Sequence, residues 1–268
     1  MPQGRGEIRA RLEARGIRPT KKLGQNFLGD PNLVDRIVRA AAVGTGDRVL
    51  EVGAGTGALT RALADAGAQV VAYEIDRRLE AILREALAGT DVDLRIADIT
   101  KVDLMAELGS ERWVMVANLP YNVGTPVLLD ALRFIPAIER FTVMVQREVA
   151  DRLTASPGSR SYGMPSIVVA LNSDARLLFT VPPDVFFPIP DVESAVVELV
   201  RKPAPAASER AIELATVAFQ QRRKMLRRSL GGALADPAAA LAAAAIPATA
   251  RPEDIDAAAF VRLAQVTS

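Results

Sequence analysis

Apolar residues change their spacing several times along the chain. Between Glu7 and Arg15 a short helical pattern ends at Gly16. Asp30-Pro31 then supplies an N-cap and a first-turn proline, and Val34, Ile37, Val38 and Ala41 recur behind it at helical spacing. Past Gly44 and Gly46 the pattern becomes short β-rich runs at Arg48–Val52, Gln69–Glu74, Val92–Ile96, Trp113–Ala117 and Phe141–Val145. Helical stretches near 57–66, 77–88, 124–134 and 146–154 separate them. Short apolar strands alternating with helices predict an α/β domain, with a parallel sheet covered by helices on both faces. Right-handed crossovers place the loops that follow the strands along one edge.

Leu177–Val181 and Ala195–Val200 predict two further strands, joined by a proline-rich stretch from Pro182 to Pro190. Residues 202–207 read as a linker. From Ser208 the chain is alanine-rich, with helices expected near 209–220, 222–230, 237–245 and 253–265. The expected organisation is an α/β domain over 1–203, including a basic amino-terminal arm over 1–29, and a small all-α domain over 204–268.

Composition removes several chemistries. There is no cysteine and no histidine among the 268 residues, so disulfides, thiolate nucleophiles, Cys/His zinc sites and Ser-His arrangements are excluded, and no metal site is expected. The alanine-rich run from Ala233 to Ala250 is broken by Pro237 and Pro247, so no membrane span is expected. The first 22 residues are polar and lack the apolar run of a secretory signal; a cytoplasmic location is expected.

Charge is unevenly placed. Residues 1–22 hold seven basic side chains against Glu7 and Glu13, a net +5, whereas the whole chain carries +1. A second basic knot, Arg222, Arg223, Lys224, Arg227 and Arg228, has no acid between Phe219 and Leu230. Such runs are commonly solvated helix faces; they also suit phosphate binding on an otherwise neutral body.

Candidate chemistry collects at the predicted strand ends. Val49-Leu50-Glu51-Val52-Gly53-Ala54-Gly55-Thr56-Gly57 runs a strand into a glycine turn that opens a helix, where a ligand can approach bare backbone. With Ala58 the turn also satisfies the dinucleotide pattern, which keeps a nicotinamide-dependent oxidoreductase open as a rival. Glu74 ends the second of these strands, suited to ribose hydroxyls, and Asp98 follows the third, suited to an exocyclic amine. Asn118-Leu119-Pro120-Tyr121 ends the fourth. There the Asn118 amide oxygen and the Leu119 carbonyl suit the two hydrogens of a nucleobase amino group, turning its lone pair towards an electrophile. Tyr121 offers a face for an extruded base, and Pro120 fixes the backbone.

Together these segments resemble class I S-adenosylmethionine-dependent adenine-N6 methyltransferases. Lys22-Leu23-Gly24-Gln25-Asn26-Phe27-Leu28, the Phe186-to-Ser194 stretch and Phe219-to-Leu230 are further similar to the bacterial 16S rRNA adenine N6,N6-dimethyltransferase family, of the KsgA/RsmA type. The resemblance runs in order from about residue 20 to the carboxyl end. It implies a Rossmann-like methyltransferase sheet followed by a helical RNA-binding domain, and S-adenosyl-L-methionine as methyl donor. The partner implied is 16S rRNA within the small ribosomal subunit or its precursor; no oligomer is implied.

Position by position, the resemblance implies that Asn26, Leu28, Gly53, Gly55, Glu74, Asp98 and Asn118 contact the cofactor. Asn118, Leu119, Pro120 and Tyr121 would form the target site, with Phe186 on the other face of the base. Phe187 stands where the family usually has a smaller residue, so either phenylalanine is a candidate for stacking. Arg222, Arg223, Lys224, Arg227 and Arg228 are expected to bind RNA. The related large-subunit (23S) rRNA methyltransferase that confers macrolide resistance is the alternative, although it usually has isoleucine where Leu119 stands.

Overall fold

A computed structural model describes residues 3–267. The chain forms two compact units. One comprises the chain up to Ala150 with Arg176–Val200, the other Asp151–Ala175 with the chain from Arg201 onward.

The first unit opens with α1 (Arg5–Glu13) and a two-residue strand, β1 (Phe27–Leu28). In α2 (Pro31–Ala41), the Asp30 carboxylate accepts from the backbone N–H groups of Asn32 and Leu33, as its N-cap position predicts. There follow β2 (Arg48–Val52), α3 (Ala58–Asp65), β3 (Gln69–Glu74), α4 (Glu80–Ala86), β4 (Asp93–Ile96), α5 (Leu104–Leu108), β5 (Trp113–Asn118), α6 (Gly124–Phe134) and β6 (Ile138–Gln146). Seven strands form one sheet in the order β4-β3-β2-β5-β6-β9-β7, where β7 is Ser173–Val181 and β9 is Ser194–Arg201. The pairs from β4 to β6 are parallel; β9 joins β6 antiparallel. The central strands β2 and β5 are buried over four and five consecutive positions, the continuous apolar runs of a sheet covered on both sides.

Two elements in this unit lie where loops were expected. β1 pairs antiparallel with β8 (Phe186–Phe187), setting Phe27 opposite Phe187 and Leu28 opposite Phe186. Two-residue strands leave no alternation to read, and these partners stand some 160 positions apart in the chain.

The second unit is mainly helical: α8 (Met164–Asn172), α9 (Ser208–Phe219), α10 (Leu226–Ser229), α11 (Pro237–Ala243) and α12 (Ala257–Val266), with α7 (Arg147–Leu153) leading towards it. Its core includes Tyr162 packed edge-on against Phe219, at 6.1 Å between ring centroids, and Phe219 against Phe260 at 6.3 Å. The buried Tyr162 hydroxyl donates to the Ile255 carbonyl at 3.0 Å. These contacts draw residues 151–175 into the helical unit, so a single boundary after residue 203 does not describe the chain. α8 is buried at six of its nine positions, which erases the one-sided stripe by which a helix is recognised.

The helix expected over 222–230 is broken. Residues 220–224 form turns, Met225 is extended at ψ 143, and only Leu226–Ser229 are helical. The Leu226 N–H donates to the Ala250 carbonyl at 2.8 Å instead of to a preceding helical turn. No helix among the described residues is long and apolar enough to cross a membrane.

Candidate active site

β2 and β5 are neighbours from which the sheet grows in opposite directions, towards β3 and β4 on one side and β6 on the other. Loops leaving the carboxyl ends of such a pair diverge and open a cleft. The glycine turn after β2 and the Asn118–Tyr121 segment at the end of β5 both line it.

The turn is compressed from two sides. Gly53 and Gly55 have φ of +83° and +60°. A Cβ on Gly53 would stand 3.2 Å from the Pro120 ring, and one on Gly55 3.1 Å from the Phe27 ring. Only a residue without a side chain lets the backbone pass between the arm and the Asn118 loop.

Glu74 is 6% exposed. One of its carboxylate oxygens accepts from the Gly55 N–H at 2.8 Å and the other from the Asp76 N–H at 2.9 Å. Burial pushes this carboxyl above its ordinary range, and the backbone donors oppose the shift. Asp98 accepts from the Thr100 hydroxyl at 2.7 Å and the Thr100 N–H at 3.1 Å. The hydroxyl bond leads in holding it below the usual carboxylate range. Its side chain keeps 27% of its surface open.

Asn118 is the best oriented of the group. Its Nδ2 donates to the Asn26 carbonyl at 3.1 Å, which assigns Oδ1 as the acceptor end of the amide. The Leu119 N–H continues the ladder to Met144 at 3.1 Å, and the Pro120 carbonyl is taken by the Gly124 N–H at 2.8 Å. Neither Asn118 Oδ1 nor the Leu119 carbonyl receives a donor among the described residues. Tyr121 is half-buried, with its hydroxyl 2.6 Å from Ser194 Oγ. Burial pushes the phenol up, so it stays protonated at neutral pH.

The cleft thus gathers Asn26, Leu28, Gly53, Gly55, Glu74, Asp98, Asn118, Leu119, Pro120 and Tyr121. Phe186 is not among them. It has no exposed surface and belongs to the apolar core, so in this arrangement it offers no face to an incoming base. Successive residues of a strand face opposite ways: Phe186 points inward, and Phe187 is the half-exposed member of the pair. Phe27 is buried over the glycine turn.

Two lining residues carry roles not assigned from the sequence. Glu51, in the middle of β2, is 1% exposed, and its Oε2 has no hydrogen-bond partner. Burial pushes its carboxyl up to about 8; the neighbouring Thr60 hydroxyl opposes the shift and the Glu74 carboxylate adds to it. A lone acid among the apolar residues 49–52 of the central strand was the available signal. Ile75, directly after Glu74, lines the cleft with 48% of its surface exposed, an apolar wall suited to one face of a flat ring.

In the second unit the basic knot resolves into two kinds of residue. Arg223, Lys224, Arg227 and Arg228 are exposed. Arg222 is not free to bind phosphate: its Nε donates to Glu253 at 2.6 Å and its guanidinium also to the Ser159 carbonyl at 3.1 Å. It staples three chain segments. Arg251 lines the same concavity as Arg223 and Lys224, and nothing local in the sequence marks it.

A family model described as "Ribosomal RNA adenine dimethylase" matches residues 17–267. A protein of Rhodococcus opacus named Ribosomal RNA small subunit methyltransferase A is 47% identical over 277 residues, covering 97% of this chain and 93% of its own length. One of the same name from Nocardia farcinica is 47% identical over 280 residues, covering 97% and 94%. Among solved structures, the 23S rRNA methyltransferase ErmE matches with a TM-score of 0.70 and 29% identity over 90% of this chain and 99% of that one. A dimethyladenosine transferase from Plasmodium falciparum matches in fold with a TM-score of 0.75 at 23% identity, over 88% and 95%.

Proposed function

The chain belongs to the ribosomal RNA adenine dimethylase family, and we propose that it methylates N6 of two adjacent adenosines in the 3′-terminal hairpin of small-subunit (16S) rRNA. The product is N6,N6-dimethyladenosine, formed during small-subunit biogenesis in the cytoplasm. The observation that carries this reading is the pair of unclaimed acceptors, Asn118 Oδ1 and the Leu119 carbonyl, at the carboxyl end of β5. They accept the two N6 hydrogens and draw the lone pair out of conjugation with the ring. Tyr121 stacks on the extruded adenine, and Phe187, the half-exposed member of the β8 pair, is the phenylalanine available for the other face. Hydride transfer to a nicotinamide has no use for such an acceptor pair.

The site fits S-adenosylmethionine, which supplies an electrophilic methyl group when bound. Gly53 and Gly55 line the cleft with backbone that carries no side chain. Glu51 Oε2, buried without a partner, is matched by an α-ammonium. Glu74 holds ribose hydroxyls, Asp98 an adenine amine, and Ile75 covers the ring. Asn26 and Leu28 close the cleft from the arm. The N6 proton needs no dedicated base, because a protonated aryl amine releases it readily to water. Arg223, Lys224, Arg227 and Arg228 bind RNA phosphates.

The test is methyl transfer from labelled S-adenosylmethionine to undermethylated small and large ribosomal subunits, with nucleoside mass spectrometry. Dimethyladenosine confined to small-subunit RNA is expected, and label in large-subunit RNA would transfer the assignment to the macrolide-resistance reaction. Asn118→Ala should lower turnover by about 10²–10³-fold with the fold intact. Near-wild-type turnover in that variant sinks the acceptor role.

A further inference from the structure

Most cations of the amino-terminal helix are already spoken for. Arg9 and Arg11 pair along α1 with Glu13 and Glu7 at 2.8 and 2.7 Å, and Arg15 pairs with Glu85 at 2.5 Å. Lys21 and Lys22 differ. Both are exposed, and neither has a carboxylate within 4 Å among the described residues. They share one turn of 3₁₀ helix, Lys21–Leu23, closed by Gly24 in the left-handed region at φ +62°.

That turn is latched to the target-binding loop. Asn122, one residue past Tyr121, donates through Nδ2 to the Lys22 carbonyl and, at 3.4 Å, to the Lys21 carbonyl. A Cβ on Gly24 would overlap the Asn122 side chain and stand 2.8 Å from the Tyr121 backbone nitrogen, so glycine is required for the approach. Leu23 and Gly24 line the cleft themselves. The turn that carries these two unneutralised lysines is therefore held at the mouth of the site, beside the loop proposed to receive the base.

A base inserted between Asn118 and Tyr121 brings the phosphates of its own strand to that mouth. Lysine, a compact charge on a flexible stem, suits phosphates met at variable angles. Resting on the methyl-transfer reading, we propose that Lys21 and Lys22 clamp the phosphates flanking the target adenosine, and that Asn122 is a positioning residue fixing the clamp to the target-binding loop.

The test compares Lys21→Gln/Lys22→Gln with a control of equal charge loss, Arg9→Gln/Arg84→Gln, whose arginines are paired with Glu13 and Glu80. kcat/KM on undermethylated small subunits is measured over a KCl series. The lysine variant should lose about 1.5 from the log–log salt slope, the share of two phosphates. Its KM for subunits should rise about tenfold at moderate salt, while S-adenosylmethionine affinity and kcat at saturating subunits hold. The control should keep the wild-type slope. Asn122→Ala retains both charges and should raise KM with little change in slope. A lysine variant that tracks the control, or one that loses cofactor affinity to the same extent, overturns the clamp. Absence of methyl transfer by the wild-type protein refutes the underlying reading instead.

Discussion

Glu51 and Glu74 are adjacent buried acids with opposite circumstances. Both oxygens of Glu74 are bonded to backbone N–H groups, whereas Glu51 Oε2 has no hydrogen-bond partner. With its folded carboxyl at about 8 against an ordinary 4.5, Glu51 takes up a proton on folding throughout that interval. Its contribution to stability is therefore full below about pH 4.5, declines as pH rises towards 8, and is gone above it. A cationic ligand reverses the preference, because it favours the carboxylate. S-adenosylmethionine affinity should rise with pH between about 5 and 8. Glu51→Gln should weaken cofactor binding, flatten that pH profile, and make the ligand-free protein less sensitive to pH between 5 and 8. Titration calorimetry and thermal denaturation across pH 5–9 supply the check; parallel curves for variant and wild type would remove Glu51 from cofactor binding.

At the scale of elements, the basic segment after α9 is the instructive case. Its run of Arg and Lys between Phe219 and Leu230 reads as one cationic helix, yet the backbone turns at 220–224 and extends at Met225. Arg222 spends its charge on Glu253 and the Ser159 carbonyl. Arg222→Ala should lower the stability of the protein by about 1–2 kcal/mol, discounted for partial exposure, and Arg223→Ala should not. The RNA salt slope should show the opposite order. Equal melting temperatures for the two variants would show that the staple is inconsequential. What could be read in advance follows the same division. β2, β3 and β5 were legible because buried parallel strands write themselves as apolar runs, and Glu74, Asp98 and Asn118 follow from standing at or just past strand ends. β1 and β8 were not, since two-residue strands carry no period and their pairing is a tertiary choice. The inward turn of Phe186 depends on that pairing. Arg222 looks like its neighbours in sequence, and only the arrival of Glu253 from 31 positions away separates it from them.

For the whole molecule, the decisive electrostatic quantity is the local count of free cations. The chain carries a net charge of only +1, which, if it governed RNA binding, would give almost no salt dependence. Screening removes that option: at physiological ionic strength charges interact over roughly 8 Å, so acids elsewhere on the surface do not cancel a cluster. Many arginines are also neutralised at close range, as Arg61 is by Asp65 at 2.8 Å and Arg84 by Glu80 at 2.8 Å. Lys21, Lys22, Arg223, Lys224, Arg227 and Arg228 are the exposed cations assigned to RNA phosphates, Arg222 having dropped out. Six phosphate contacts correspond to a slope of log affinity against log salt of about −4 to −5. If net charge controlled binding the slope would lie near −1, and if only the carboxyl-terminal cluster engaged RNA it would lie near −3 to −3.5. A KCl titration of binding to small-subunit rRNA separates the three cases. The steepest is expected, because the charge that matters is held within a few ångströms of the strand it meets and its counter-charges are not.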